Sequence, residues 1–145
     1  MSRNTNAPLP TQGLSAGNKA LDPVVQYDGV VFSVASRAAA AYNTNPYFNP
    51  NRLGVRLYIN LTVVNGGTLT VKIQNFDPAS QTWVDLTGAV TTALAAVAVT
   101  RLTVYPAVTP AANFDVSTTL GTTWRVVATT ATAAVTFGIG GEYLT

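Results

Sequence analysis

The feature that most restricts the fold of this chain is the run over residues 53–76. Val55, Leu57, Ile59, Leu61 and Val63 alternate with Arg56, Tyr58, Asn60 and Thr62; after Asn65-Gly66-Gly67, Leu69, Val71 and Ile73 alternate with Thr70, Lys72 and Gln74. A period of two held this long describes two strands, each with one face turned to a core, and the Asn-Gly step marks a reversal between them. The run predicts a β-hairpin. A two-residue loop would pair Thr62 with Leu69 and mix polar and apolar residues on one face. Three loop residues, 65–67, instead pair Val63 with Leu69, Leu61 with Val71 and Ile59 with Ile73, so that one face stays apolar. A glycine then supplies the left-handed position of a bulged turn.

The rest of the chain has the same texture. Val30, Val31, Phe32 and Val34 open a short strand. Residues 37–54 interrupt it with four alanines and two Asn-Pro steps, which disfavour helix and predict a long, specific loop. An Asp77-Pro78 turn leads to a strand from Trp83 to Leu86, and residues 87–96 read equally as strand, loop or helical turn. Val97 to Tyr105 is a strand stopped by Pro106, and residues 106–122 are loop-like. Trp124, Val126 and Ala128 share one strand face, as do Val135, Phe137 and Ile139, with an even loop, Thr129 to Ala134, joining them. Six or seven strands linked by turns predict one all-β domain over residues 29–145, a β-sandwich or closed β-barrel.

Composition supports strands and removes chemistry. The chain has 22 Thr, 21 Ala and 19 Val against one Glu, and charged residues are only 10%, where about 25% is usual. Such a balance suits half-buried pleated surface and starves exposed helices. With no His and no Cys, imidazole bases, thiolates and most zinc, copper or iron sites are excluded. The eight Lys and Arg are scattered and never form a run, so no nucleic-acid footprint is expected. Residues 1–28 lack the apolar core of a signal peptide and no window reaches membrane-spanning length, so synthesis in the cytoplasm and no membrane partner are expected. The Asn60-Leu61-Thr62 sequon lies within a strand-like run and reads as a chance match.

The six acids show no catalytic-looking pair on one strand face, and Asp77 before Pro78 reads as a turn residue. No Ser-x-x-Lys or Gly-x-Ser-x-Gly is present to activate a nucleophile. Gly138-Ile139-Gly140-Gly141 leads into no helix and reads as close backbone packing rather than a phosphate cradle. The expectation is a protein that is not an enzyme and takes no cofactor. Trp83, Trp124, Tyr58, Tyr47 and Phe48 could form an aromatic platform for sugars, although both tryptophans begin apolar strands and read as core. Tyr47 and Phe48 sit in a polar loop and are the candidate loop contacts. Residues 1–28, rich in Asn, Gly, Pro and Ser, read as an extended N-terminal arm in which Leu9, Leu14 and Leu21 are candidate anchors on an adjacent subunit.

The run Val55-Arg56-Leu57-Tyr58-Ile59-Asn60-Leu61-Thr62-Val63, then Leu69 to Gln74, Asp77-Pro78, Trp83-Val84, Leu102-Thr103-Val104-Tyr105-Pro106, Thr123-Trp124-Arg125-Val126, Val135-Thr136-Phe137 and Glu142-Tyr143-Leu144 resembles a small all-β module of tailed-bacteriophage structural proteins. With the arm-like N-terminus, the chain is most similar to the capsid decoration, or cement, proteins of long-tailed phages, including those of Thermus hosts. The resemblance covers about two-thirds of the chain and consists of strand patterns. It implies a homotrimer on the outer capsid surface of the virion, seated between major capsid protein subunits and neighbouring decoration trimers, locking the shell after expansion. A carbohydrate or receptor-binding β-module on a phage head or tail is the alternative expectation.

Overall fold

The computed structural model describes residues 29–145. The candidate anchors Leu9, Leu14 and Leu21 lie outside the described residues. Among the described residues ten strands follow one another: β1 (Gly29–Arg37), β2 (Ala41–Asn43), β3 (Tyr47–Phe48), β4 (Gly54–Val63), β5 (Thr68–Asp77), β6 (Thr82–Val90), β7 (Ala98–Val104), β8 (Asp115–Val116), β9 (Thr123–Ala131) and β10 (Val135–Leu144). No helix occurs among the described residues. Two five-stranded sheets form a sandwich. The first has the order β2-β9-β5-β6, with β3 also pairing β9; the second has the order β1-β10-β4-β7-β8.

The buried faces are those the alternation predicts, except at Val63, expected inward beside Leu69 but 39% exposed where β4 ends and the chain turns into the next connection. Val55, Leu57, Ile59 and Leu61 of β4, Leu69, Val71 and Ile73 of β5, Trp124, Val126 and Ala128 of β9, and Val135, Phe137 and Ile139 of β10 are all buried. The predicted hairpin, however, does not form. β4 pairs with β10 and β7, setting Ile59 opposite Ile139 and Thr100, while β5 pairs with β9 and β6, setting Ile73 opposite Val126. Residues 64–67 therefore carry the chain from one sheet to the other as an arch, with the Gly67 amide donating to the Val64 carbonyl at 2.7 Å. Asn65 (φ 45°) and Gly66 (φ 80°) both take the left-handed conformation, so a glycine does serve there. The reason for the difference is physical. Alternation states which face of a strand is apolar, and two such faces can lie side by side in a hairpin or face to face across a core.

The connection from β9 to β10 crosses between the sheets in the same way, through residues 132–134 rather than the wider even loop expected, with Thr132 at φ 74°. The two arches touch. A Cβ added to Gly67 would come within 2.6 Å of the Ala133 carbonyl oxygen. The true tight hairpin joins β5 to β6, where Asp77 acts as the turn residue its Pro neighbour suggests: its carboxylate accepts from the Ala79 amide (2.9 Å) and the Ser80 hydroxyl (2.7 Å). That hydrogen bonding, the Ser80 hydroxyl first, holds the Asp77 carboxyl below the usual carboxylate range.

Other boundaries move outward. The first strand runs to Arg37, the strand at Trp83 continues to Val90, and the long loop over 37–54 contributes β2 and β3 as short edge pairings to β9. Within the undecided stretch 87–96, residues 87–90 finish β6, and Leu94 makes an isolated bridge to Leu69. The abundant threonine has a use beyond strand propensity. The Thr130 hydroxyl donates to the Ala38 carbonyl at 2.6 Å and accepts from the Ala40 amide at 3.0 Å, while Thr91 and Thr44 hydroxyls accept from the Val71 and Val126 amides. Each satisfies a backbone group where a ladder ends, without bringing a charge into the interior.

Arg37 stops the sandwich from opening at the β1 edge. Its guanidinium lies 4.5 Å from the Phe137 ring centroid, 5.3 Å from Phe32 and 6.0 Å from Tyr42, and donates to the carbonyls of Ser33 (2.9 Å) and Phe137 (3.1 Å). Arg37→Ala is expected to cost about 1–3 kcal/mol, from lost cation–π contacts and carbonyls left without their donor. Urea unfolding checks it. Arg37→Lys should recover only part, because an ammonium cannot lie flat on the rings and reach both carbonyls.

Candidate functional site

Aromatic residues gather at the end of the sandwich where β3 meets β9. Tyr47 faces inward opposite Trp124, with ring centroids 4.8 Å apart, and Tyr143 meets Trp124 edge to face at 6.0 Å. Tyr47 is therefore half-buried and packs on the core, a correction to its reading as an exposed loop aromatic; Phe48, one residue on, points outward and is 75% exposed. The Tyr143 hydroxyl donates to the Phe48 carbonyl at 3.1 Å, fixing the backbone that presents Phe48. Burial, and then the neighbouring Tyr143, push the Tyr47 phenol up to about 12. Its ordinary value is about 10 in an unfolded chain, so folding holds its proton, and the associated stability is present below pH ~10 and lost as pH rises through 12. Tyr47→Phe should leave stability at neutral pH almost unchanged and flatten the alkaline limb of the unfolding midpoint against pH.

The outer face of the first sheet carries an ordered row. Arg125 Nε donates to Gln74 Oε1 (2.8 Å), Gln74 Nε2 donates to Asp85 Oδ1 (2.7 Å), and Lys72 Nζ pairs with Asp85 at 2.9 Å. The hydrogen bonds from Gln74 and Lys72 hold the Asp85 carboxyl below the usual range. At the end of the row the Arg125 guanidinium lies 4.4 Å over the Trp83 ring, whose other neighbour is Phe76 at 5.2 Å, edge to face. Trp83 is thus half-buried on the outer face of the sheet and takes no part in the core, which corrects its expected place there; Trp124 is fully buried as expected. The signal lay two residues further on. Asp85 shares a strand face with Trp83, and a lone carboxylate does not face a dry core. Beside the row, a cleft of about 530 Å³ is lined by Thr70, Lys72, Asp85, Gly88, Val90 and Thr129 among others.

The outer face of the second sheet is different in kind. Here β10 presents Gly138 and Gly140 between two taller strands, β1 with Val30 and Val34 and β4 with Tyr58 and Asn60, making a shallow groove of about 430 Å³. Val30 and Val34 are each 61% exposed, and Val99, opposite Asn60 on β7, is 67% exposed. The glycines make the hollow. A Cβ on Gly138 would press on Val34 Cγ2 at 2.6 Å, whereas one on Gly140 would meet only the Gly29 carbonyl at 3.6 Å. Sequence alternation missed this face because β1 slips register twice against β10, between Phe137 and Ile139 and again before Gly140. Val31 and Phe32 consequently both pack on the core, leaving Val30 and Val34 outside.

Polar groups border the groove at one end, where Glu142 accepts from Arg56 (3.4 Å) and from the Tyr58 hydroxyl (3.1 Å). Among the described residues, no three of the Asp and Glu side chains converge as metal ligands would. No family model matches the chain, and a search of curated proteins finds no relative.

Proposed function

We propose that the chain is a structural protein of a bacteriophage virion, a homotrimer on the outside of an icosahedral head that stabilises the shell by bridging major capsid subunits and neighbouring decoration trimers. It acts by binding, without catalysis or a cofactor, and is made in the host cytoplasm. The observation that carries the reading is the outer face of the second sheet, where Val30 and Val34 stand exposed beside a glycine-floored hollow and Val99 stands exposed on the far side of Asn60. Exposed apolar surface joined into one face is the mark of a surface that gets covered. A body with 10% charged residues also loses little desolvation energy in a permanent interface. The strand-pattern resemblance to decoration proteins supplies the setting. Removing residues 1–28 with Leu9, Leu14 and Leu21 is expected to leave the melting temperature of the body nearly unchanged, to weaken attachment to shells, and to lower the temperature at which decorated shells rupture. Equal protection by full-length and truncated protein would make the arm idle. Light scattering after size exclusion should report three chains.

A second reading, a carbohydrate or receptor-binding module on a phage head or tail, is favoured by one observation, the surface position of Trp83 beside Gln74, Asp85 and Arg125. An indole next to paired polar side chains suits a sugar ring. Binding to a glycan array that Trp83→Ala abolishes would support it over the capsid role.

A further inference from the structure

We infer that the outer face of the first sheet binds a carboxylated sugar, a uronate or sialate, with the sugar ring on Phe48, its carboxylate on the Arg125 guanidinium and the Thr123 hydroxyl between them. The inference rests on the glycan reading of this sheet face and adds which sugars it selects and which residues select them. It is independent of the capsid role, because the apolar groove lies on the opposite side of the sandwich.

Register brings these three side chains together. Phe48 of β3 lies directly opposite Thr123 of β9, and Arg125 is two residues further along β9. Opposed residues turn their side chains to one face of a sheet, and alternate residues of a strand share a face. Phe48, Thr123 and Arg125 therefore stand on the outer face, while Trp124 between the last two is buried. Phe48 and Arg125 are diagonal neighbours, with backbones about 7–8 Å apart, a span that one sugar ring and its carboxylate bridge. The Phe48 ring is largely exposed, yet its backbone is held on both sides: the Tyr143 hydroxyl donates to the Phe48 carbonyl, and the Asn49 amide donates to the Thr122 carbonyl at 2.8 Å. A fixed, open aromatic face suits the C–H side of a sugar.

Arg125 supplies the selectivity. Among the described residues the carboxylates are committed elsewhere: Glu142 to Arg56, Asp85 to Lys72, Asp115 to Arg101, and Asp77 to its own turn. Neutral groups hold Arg125 instead. The Gln74 amide oxygen takes its Nε–H, the Trp83 ring lies against its guanidinium, and Gln74 is itself buried and anchored on Asp85. Fixing the plane at Nε turns the two terminal nitrogens to the task of pairing with a carboxylate, whose oxygens match their parallel N–H bonds. Since the guanidinium covers one face of Trp83, Trp83 and Gln74 are positioning residues and Phe48 is the platform. A carboxylate on a protein partner fits less well. The outward neighbours of Phe48 are polar, whereas a protein interface needs an apolar centre, which this molecule carries on its other sheet.

Calorimetric titration of the full-length protein tests this, with oligogalacturonate, hyaluronan fragments and sialyllactose as probes, each beside its carboxyl-reduced counterpart. At least one acid probe is expected to bind about tenfold more tightly than its reduced form, the worth of a charge-assisted contact. Arg125→Gln should remove that preference and leave affinity for the reduced form unchanged, while Phe48→Ala should weaken both forms alike. Trp83→Leu, which frees the guanidinium, should narrow the preference as Arg125→Gln does, a change that loosened packing alone does not produce. Thermal melting checks that each variant is folded. Where Arg125→Gln melts lower, Arg125→Lys gives the same readout and should keep only part of the preference, because an ammonium lacks the planar fork. Equal affinity for acid and reduced forms would overturn the inference and leave the glycan reading standing; no binding to any probe would overturn both. A preference that survives Arg125→Gln, or displacement of the acid sugar by inorganic sulfate or polyglutamate at equal concentration of charge, would also overturn it.

Discussion

Trp124→Ala is expected to lower the unfolding free energy by about 3–5 kcal/mol, the usual cost of truncating a large buried aromatic. The side chain is fully buried and joins both sheets at one end, in contact with Tyr47 from β3 and Tyr143 from β10. A single-domain protein has about 5–15 kcal/mol in all, so the variant should be marginal at room temperature. Its denaturant midpoint should fall far more than that of Thr62→Ala, whose hydroxyl lies on the outer side of β4 and donates only to the Thr136 carbonyl. Loss of the Tyr47 contact should also expose the Phe48 backbone to proteolysis. A midpoint shift equal to that of Thr62→Ala would mean that the two sheets are not joined at Trp124.

Gly54→Val should be comparably severe, for a different reason. Gly54 opens β4 where the strand crosses the end of β7, and a Cβ there would run into the carbonyl oxygen of Val104. A backbone atom in a sheet cannot rotate away as a side chain can, so β4 and β7 must separate. The cost of such overpacking is typically about 1–3 kcal/mol and more where backbone must move. Since Leu144 lies opposite Gly54 on the other side of β4, the separation would loosen the C-terminus as well. Hydrogen exchange should show protection lost first at Val104 and at residues 142–144. Gly66→Ala, at an open position with left-handed backbone, should cost about 1 kcal/mol by comparison.

What alternation could reveal and what it could not is seen in β4 and β5. The inward residues from Val55 to Leu61 and from Leu69 to Ile73 were legible, because each side chain's face follows from its parity along a strand; Val63 was not, because β4 ends there and the chain turns away into the arch. The partner strand was not, since one apolar row fits equally beside or opposite another; the choice is made by how the short connection runs, in plane or across the core. The face of Trp83 follows from Asp85, two residues on, rather than from its apolar neighbours, since a lone carboxylate fixes the outward face of β6. Tyr47 was misread because a two-residue strand is too short to show a period. The groove was illegible for a deeper reason. It depends on two register slips in β1, and a bulge adds a residue without leaving a pattern in the sequence.

The proposed role in a virion shell requires Val30, Val34 and the glycine hollow to be covered in the particle, in many copies. Quantitative mass spectrometry of purified, filled heads tests this most directly. The account predicts the protein in near-equimolar amount with the major capsid subunit, and retained through washing in high salt, as a low-charge apolar contact requires. Its absence from heads, or its presence only at the low copy number of a tail or vertex appendage, would contradict the account.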